Sequence, residues 1–167
     1  MSDTQTISDD FLKDIREESS EKYLPVGVEN ATIIDVSEVK HNPDDGTGET
    51  RISKEDLAAG KVARQFKKVY FVVNFTLDDK LDDKGLPKVI YETYGFRIYE
   101  DTKSLWWGTE KSSCGLLIQK VKKYYPNLGK NPSFPEIKAT ILGKQVKITS
   151  EEFGPSKSKK IMVDSFT

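Results

Sequence analysis

The sequence predicts a mainly β domain of the α+β class: a five-stranded barrel with a helix between its third and fourth strands and an N-terminal helix ahead of the first. Three observations carry this expectation. Two runs between Arg64 and Tyr99 alternate strictly, the period of a hairpin with one face buried. A helical repeat from Ser113 to Tyr125 follows that hairpin and stops at Pro126. Two further alternating runs come after it.

Residues 1–24 read as an acidic arm or helix, and residues 25–167 as the domain, with a long loop insertion at 41–63. In the arm, Ser8 can cap a short helix with Phe11, Leu12 and Ile15 on one face, ending before Leu24-Pro25. Gly27 to Val39 is the first strand. Its face is Val26, Val28, Thr32, Ile34 and Val36, and Val39 falls out of phase, which suggests a bulge near Ser37. The insertion opens on the turn signal Asn42-Pro43-Asp44-Asp45-Gly46. It continues into a helical turn capped by Ser53 and Asp56 and stopped at Gly60. Loops of this length are functional or disordered.

In the second strand Val69, Phe71, Val73, Phe75 and Leu77 point one way, and Phe66, Lys68, Tyr70, Val72, Asn74 and Thr76 the other. The third strand opposes Ile90, Tyr94, Phe96 and Ile98 to Tyr91, Thr93, Gly95, Arg97 and Tyr99. Asp78, Asp79, Asp82 and Asp83 fill the turn between them. After Leu105-Trp106-Trp107-Gly108, the helix at 113–125 carries an apolar stripe of Leu117, Val121 and Tyr124, flanked by Leu116 and Tyr125. Lys120, Lys122 and Lys123 give it a wet face. Ser133 and Glu136 form a capping box around Pro135, so 135–142 reads as a short helix stopped by Gly143. Lys144 to Thr149 is the fourth strand, with Val146 and Ile148 inward, and Lys159 to Phe166 the fifth, with Ile161 and Val163 inward. Glu151 to Ser158 reads as a flexible loop between them. Five strands in the order β-β-β-α-β-β are the layout of an OB-fold.

Composition narrows the function classes. Charged residues are 32% and hydrophobic ones 36%, which fits a polar-surfaced folded domain. No apolar run approaches the roughly 18 residues of a membrane span, and the acidic residues 1–10 are no signal peptide, so a cytoplasmic setting is expected. For a viral gene that is the host cytoplasm. The net charge of −1 conceals an asymmetry. Residues 1–21 hold seven acids against Lys13 and Arg16, a net of −5, which leaves 24 basic and 20 acidic side chains elsewhere.

Catalytic constellations are missing from the inventory. His41 is the only histidine and Cys114 the only cysteine, so neither a zinc site nor a disulfide is expected. Asp44 to Glu49 fails the calcium-loop register, which would put Pro43 at a ligand position. Gly129-Lys130 and Gly143-Lys144 lack the rest of a phosphate loop. The hairpin aspartates read as a solubilised tip. Cys114, at a helix start, is either a thiol of lowered pKa or a semi-buried structural one, and the second is the expectation. No enzyme activity, cofactor or metal is expected.

From Pro25 to Phe166 the layout resembles small phage-type OB-fold single-stranded DNA-binding proteins. The resemblance rests on a valine-rich first strand, alternating aromatic second and third strands, a leucine-bearing helix, and Leu142-Gly143-Lys144-x-Val146 leading into strand four. It implies a cytoplasmic, non-enzymatic protein that coats single strands in DNA replication, recombination or repair. Many members carry an acidic C-terminal tail that recruits partners. Here residues 161–167 hold one acid, and the acidic segment is N-terminal.

The candidate binding residues follow from the outward face of strands two and three. Tyr70, Tyr91 and Tyr99 would stack bases, Lys68 and Arg97 would meet phosphates, and Arg64 and Phe66 extend the same track. The opposing reading has these rings covering a second minicore beneath the arm or the 41–63 insertion. Of the adjacent tryptophans one faces the core, and Trp106 is expected outward. Phe153, Lys157, Lys159 and Lys160, before strand five, form either a clamp over a strand or a solvated loop. The acidic arm either packs on the barrel or frays, or else competes for the basic groove. The expected partner is single-stranded DNA, with RNA and a homo-oligomer left open, together with replication or recombination proteins and no membrane. The alternative is an OB-like protein–protein interaction module, a replication accessory or virion component without nucleic-acid contact.

Overall fold

The structure, a computed structural model, describes residues 28–39, 47–153 and 158–167. The expected arm at 1–24, the Asn42–Gly46 turn with His41, and Lys157 lie outside the described residues. Seven strands, all paired antiparallel, make one sheet among the described residues. They are β1 (Glu29–Val39), β2 (Thr47–Glu49), β3 (Gln65–Leu81), β4 (Pro87–Tyr99), β5 (Leu105–Trp106), β6 (Gln145–Phe153) and β7 (Ser158–Phe166). Their order is β5-β4-β3-β1-β6-β7, with β2 beside β3. The helices are α1 (Lys54–Ala58), α2 (Ser113–Tyr124) and α3 (Phe134–Ile141).

The expected closed barrel of five strands is corrected to an open sheet of seven, because no ladder joins β4 to β7. Leu105 and Trp106 of β5 occupy the free edge of β4 at Ile98 and Arg97. Further along, side chains bridge the gap instead of backbone. The buried Tyr94 hydroxyl donates to the Ile161 carbonyl. The Ile161 N–H donates to Glu92 at 3.0 Å, and Lys160 Nζ donates to the Thr93 carbonyl at 2.8 Å. Burial raises the Tyr94 phenol well above its ordinary pKa, so it stays a donor.

Alternation in β3 and β4 gives the inner face as the sequence predicts. Val69, Phe71, Val73, Phe75 and Leu77 are buried, together with Ile90, Tyr94 and Phe96. Phe71 stacks on Tyr94 at 5.5 Å and lies 5.2 Å from Phe134, while Phe96 meets Trp107 at 4.5 Å. Each such side chain contributes roughly 1.5–3 kcal/mol on burial, so this aromatic cluster is the centre of the fold. Helix α2 packs on β7 and β4 through Leu117, Ile118 and Val121. Its buried stripe takes in Ile118, whereas Tyr124, expected inward, is 38% exposed.

The face of β1 is also corrected. Ile33 pairs with Phe75 and Asp35 with Asn74, so Ile34 is the extra residue of a bulge. Ahead of it Ala31 and Ile33 point inward, and after it Val36 does, which leaves Ile34 outside. The expected loop at 151–158 is shorter as well. Glu151 to Phe153 extend β6, and Lys160 and Lys159 pair across the ladder with Glu151 and Glu152. Opposite charges facing each other favour that extension. Ser53 and Ser133 cap as the sequence predicts, and Ser112 caps α2 in addition: each accepts a backbone N–H of the first turn of α1, α3 and α2 respectively.

Candidate functional site

The outer face of β3 and β4 is built from directly opposed pairs: Phe66 with Tyr99, Lys68 with Arg97, Tyr70 with Gly95, and Asn74 with Tyr91. Arg97 also faces Trp106 across the β4–β5 ladder. Register therefore sets Lys68, Arg97 and Trp106 in one row across three strands, with Tyr70 in the next row.

Around this row, cations and rings alternate. The Arg97 guanidinium lies 4.1 Å from the Phe66 ring centroid and 4.6 Å from that of Trp106. Phe66 meets Tyr99 edge-on at 6.1 Å, and Arg64 covers Tyr99 at 3.9 Å. Flat guanidinium groups over aromatic faces gain about 0.5–1 kcal/mol per contact at exposed sites, enough to fix rotamers that would otherwise wander.

The two arginines differ in their charge balance. Arg64 donates to both carboxylate oxygens of Asp101, each at 2.9 Å, and to Thr102 at 3.2 Å. That fork holds the Asp101 carboxyl below its ordinary pKa and raises that of Arg64. Arg64 is therefore already neutralised, contrary to its expected place on an open phosphate track. Among the described residues Arg97 and Lys68 have no carboxylate partner.

Phe66 requires a correction. It is only 3% exposed, because β2 folds the insertion back along β3 and sets Gly48 opposite it. A Cβ at Gly48 would come within 2.7 Å of the Phe66 ring, so the ring closes over the bare backbone. It supports Arg97 and offers no surface for a base. Here the minicore reading holds. Tyr99, half-buried under Arg64, is likewise covered on one ring face.

Tyr70 lies across Gly95, where a Cβ would approach its Cε1 to 2.9 Å. Between this ring and Trp106 runs a groove of about 330 Å³. Lys68, Tyr70, Arg97 and Trp106 line it from the sheet, with Phe96 and Gly95 beneath, and Gly108, Thr109 and Ser112 form the facing wall. Trp106 is 37% exposed, while its neighbour Trp107 is buried in the core. Burial of the second ring anchors the first at the rim.

Other expected site residues are not gathered here. Tyr91 is six positions from Arg97 along β4, roughly 20 Å away at strand rise. Lys160 is held by Thr93 and lies 3.9 Å from Glu92, so it staples β7 to β4 and is no free clamp. Lys159 is exposed on β7, and Phe153 ends β6. Sequence reasoning missed Glu92, Asp101 and the Gly108–Ser112 wall. Glu92 had a signal: it falls between Ile90 and Tyr94 on the inward parity, where a carboxylate must find a donor.

Cys114 is buried, and desolvation pushes its thiol up to about 12, the reverse of activation by a helix dipole. Among the described residues no cluster of three or more His, Cys, Asp or Glu is placed to hold a metal ion, and no helix is long and apolar enough to cross a membrane. Comparison with protein-family models, curated proteins and solved structures finds no match.

Proposed function

We propose that this chain binds single-stranded DNA with little sequence preference, in replication, recombination or repair, and that it is not an enzyme. The five long strands are read as an OB-type barrel, opened at the seam between β4 and β7. In that fold the outer face of the second and third strands receives nucleic acid, flanked by the loops after strands one and four. Those strands are β3 and β4.

The observation that carries the reading is that two cations with no carboxylate partner among the described residues stand beside aromatic rings. Lys68 and Arg97 share one groove with Tyr70 and Trp106. Base–aromatic stacking contributes about 1–3 kcal/mol per base. Two rings therefore reach at most about 6 kcal/mol, short of the roughly 8.2 kcal/mol of a micromolar complex. Phosphate contacts must supply the remainder, so affinity should fall steeply with salt.

Fluorescence anisotropy of a labelled oligothymidine, titrated at several salt concentrations beside a duplex and an oligouridine, tests this. Single-strand binding weakened by salt and by Trp106→Ala supports it. Binding to neither single strand nor duplex at low salt overturns it. That outcome favours an interaction module, a reading the internal neutralisation of Arg64 and Lys160 also supports.

A further inference from the structure

We infer that the groove between Tyr70 and Trp106 is a subsite for one nucleotide, which selects the phosphate and not the identity of the base. This deepens the single-strand reading and rests on it for the biological ligand. At about 330 Å³ the groove sits at the small end of the ~300–1,000 Å³ typical of small-molecule sites. That volume suits one nucleotide.

Its lining matches the parts of that ligand. Tyr70 and Trp106 supply aromatic surface, above the β4 backbone at Gly95 and Phe96. Lys68 and Arg97 supply positive charge beside those rings, and no carboxylate lines the groove among the described residues, so an anion is favoured over a cation. Thr109 Oγ1 accepts from the Lys111 N–H at 3.2 Å, and its hydroxyl hydrogen has no protein acceptor among the described residues. Ser112, by contrast, is committed: its hydroxyl donates to the Thr109 carbonyl and accepts from the Gly115 N–H. The groove thus offers the phosphate two charged donors and one hydroxyl. Among the described residues neither Asn, Gln, Asp nor Glu lines it, the side chains that read the edges of adenine and cytosine. Arg97, which could read a guanine edge, is held flat between Phe66 and Trp106.

The experiment titrates the full chain with dTMP, dAMP, thymidine and inorganic phosphate. Trp106 emission is the readout, and Trp106→Phe is the control that leaves only buried Trp107. Expected are similar affinities for dTMP and dAMP, at least about tenfold weaker binding of thymidine, and loss of that preference in Lys68→Met, a change at an exposed position. Thymidine binding as well as dTMP, or inorganic phosphate competing at equal concentration, overturns the inference. Oligothymidine binding without any mononucleotide binding overturns the subsite and leaves the proposed function standing. Mononucleotide binding without oligothymidine binding does the opposite, and binding of none removes both.

Discussion

Replacing Arg97 by methionine removes one positive charge from the outer face while leaving a flexible apolar stem between Phe66 and Trp106. Two guanidinium–ring contacts, at 4.1 and 4.6 Å, are lost. At about 0.5–1 kcal/mol each, they amount to about 1–2 kcal/mol of stability. A thioether against aromatic rings recovers roughly 0.3–1.5 kcal/mol of that, so the folded protein should lose less than about 2 kcal/mol. Binding should respond far more. A hydrogen bond to a charged group contributes about 1.5–3 kcal/mol, so oligothymidine affinity should fall about tenfold to a hundredfold at low salt. The slope of log K against log salt should also become shallower by about 0.7, the value for one single-strand phosphate. Anisotropy titrations at four or five salt concentrations measure both quantities. Arg97→Lys should restore the slope while recovering only part of the affinity, because an ammonium carries the charge without the flat stacking surface. An Arg97→Met variant that binds less tightly with an unchanged slope would refute phosphate contact and reduce Arg97 to a prop for Trp106. Unchanged affinity would remove it from the interface.

Three further outcomes are expected. Glu92→Ala strands the Ile161 N–H and removes the carboxylate beside the Lys160 ammonium at the β4–β7 seam, costing about 1–3 kcal/mol in chemical denaturation. Glu92→Gln, which keeps an acceptor, should cost less, and equal losses would count against that hydrogen bond. Gly95→Ala puts a Cβ 2.9 Å from Tyr70 and turns the ring into the groove; mononucleotide binding should weaken while stability changes by less than about 1 kcal/mol. For Cys114, burial raises the thiol pKa in the fold from 9.0 to about 12, so its contribution is full below pH 9 and is lost as pH rises towards 12. Stability should fall by up to roughly 1.4 kcal/mol per pH unit across that window. Cys114→Ala should flatten this dependence, and an identical alkaline profile would show that the thiol is not its source.

Much of the architecture is readable residue by residue. The strict alternation of Val69 to Leu77 names the buried face of β3, since a strand turns successive side chains to opposite sides. Ser53 and Ser133 mark helix starts because their hydroxyls satisfy the first-turn amides. The bulge at Ile34 was not readable in the same way. It is defined by the register between Ile33–Asp35 and Phe75–Asn74, and both phases of β1 offer apolar residues. Nor was the seam, because one carboxylate at Glu92 does not announce a donor that lies 69 residues away.

By itself the sequence determined the hairpin, the helix limits and the stock of rings and cations on one face, all consequences of interactions within a few residues. Tertiary structure alone decided which of those groups remain available. Asp101 takes Arg64 from 37 residues away, Thr93 takes Lys160 from 67, and Gly48 lets Phe66 sink beneath a strand. Charge balance and burial depend on what chain pairing brings within a few ångströms, and local periodicity carries no record of that.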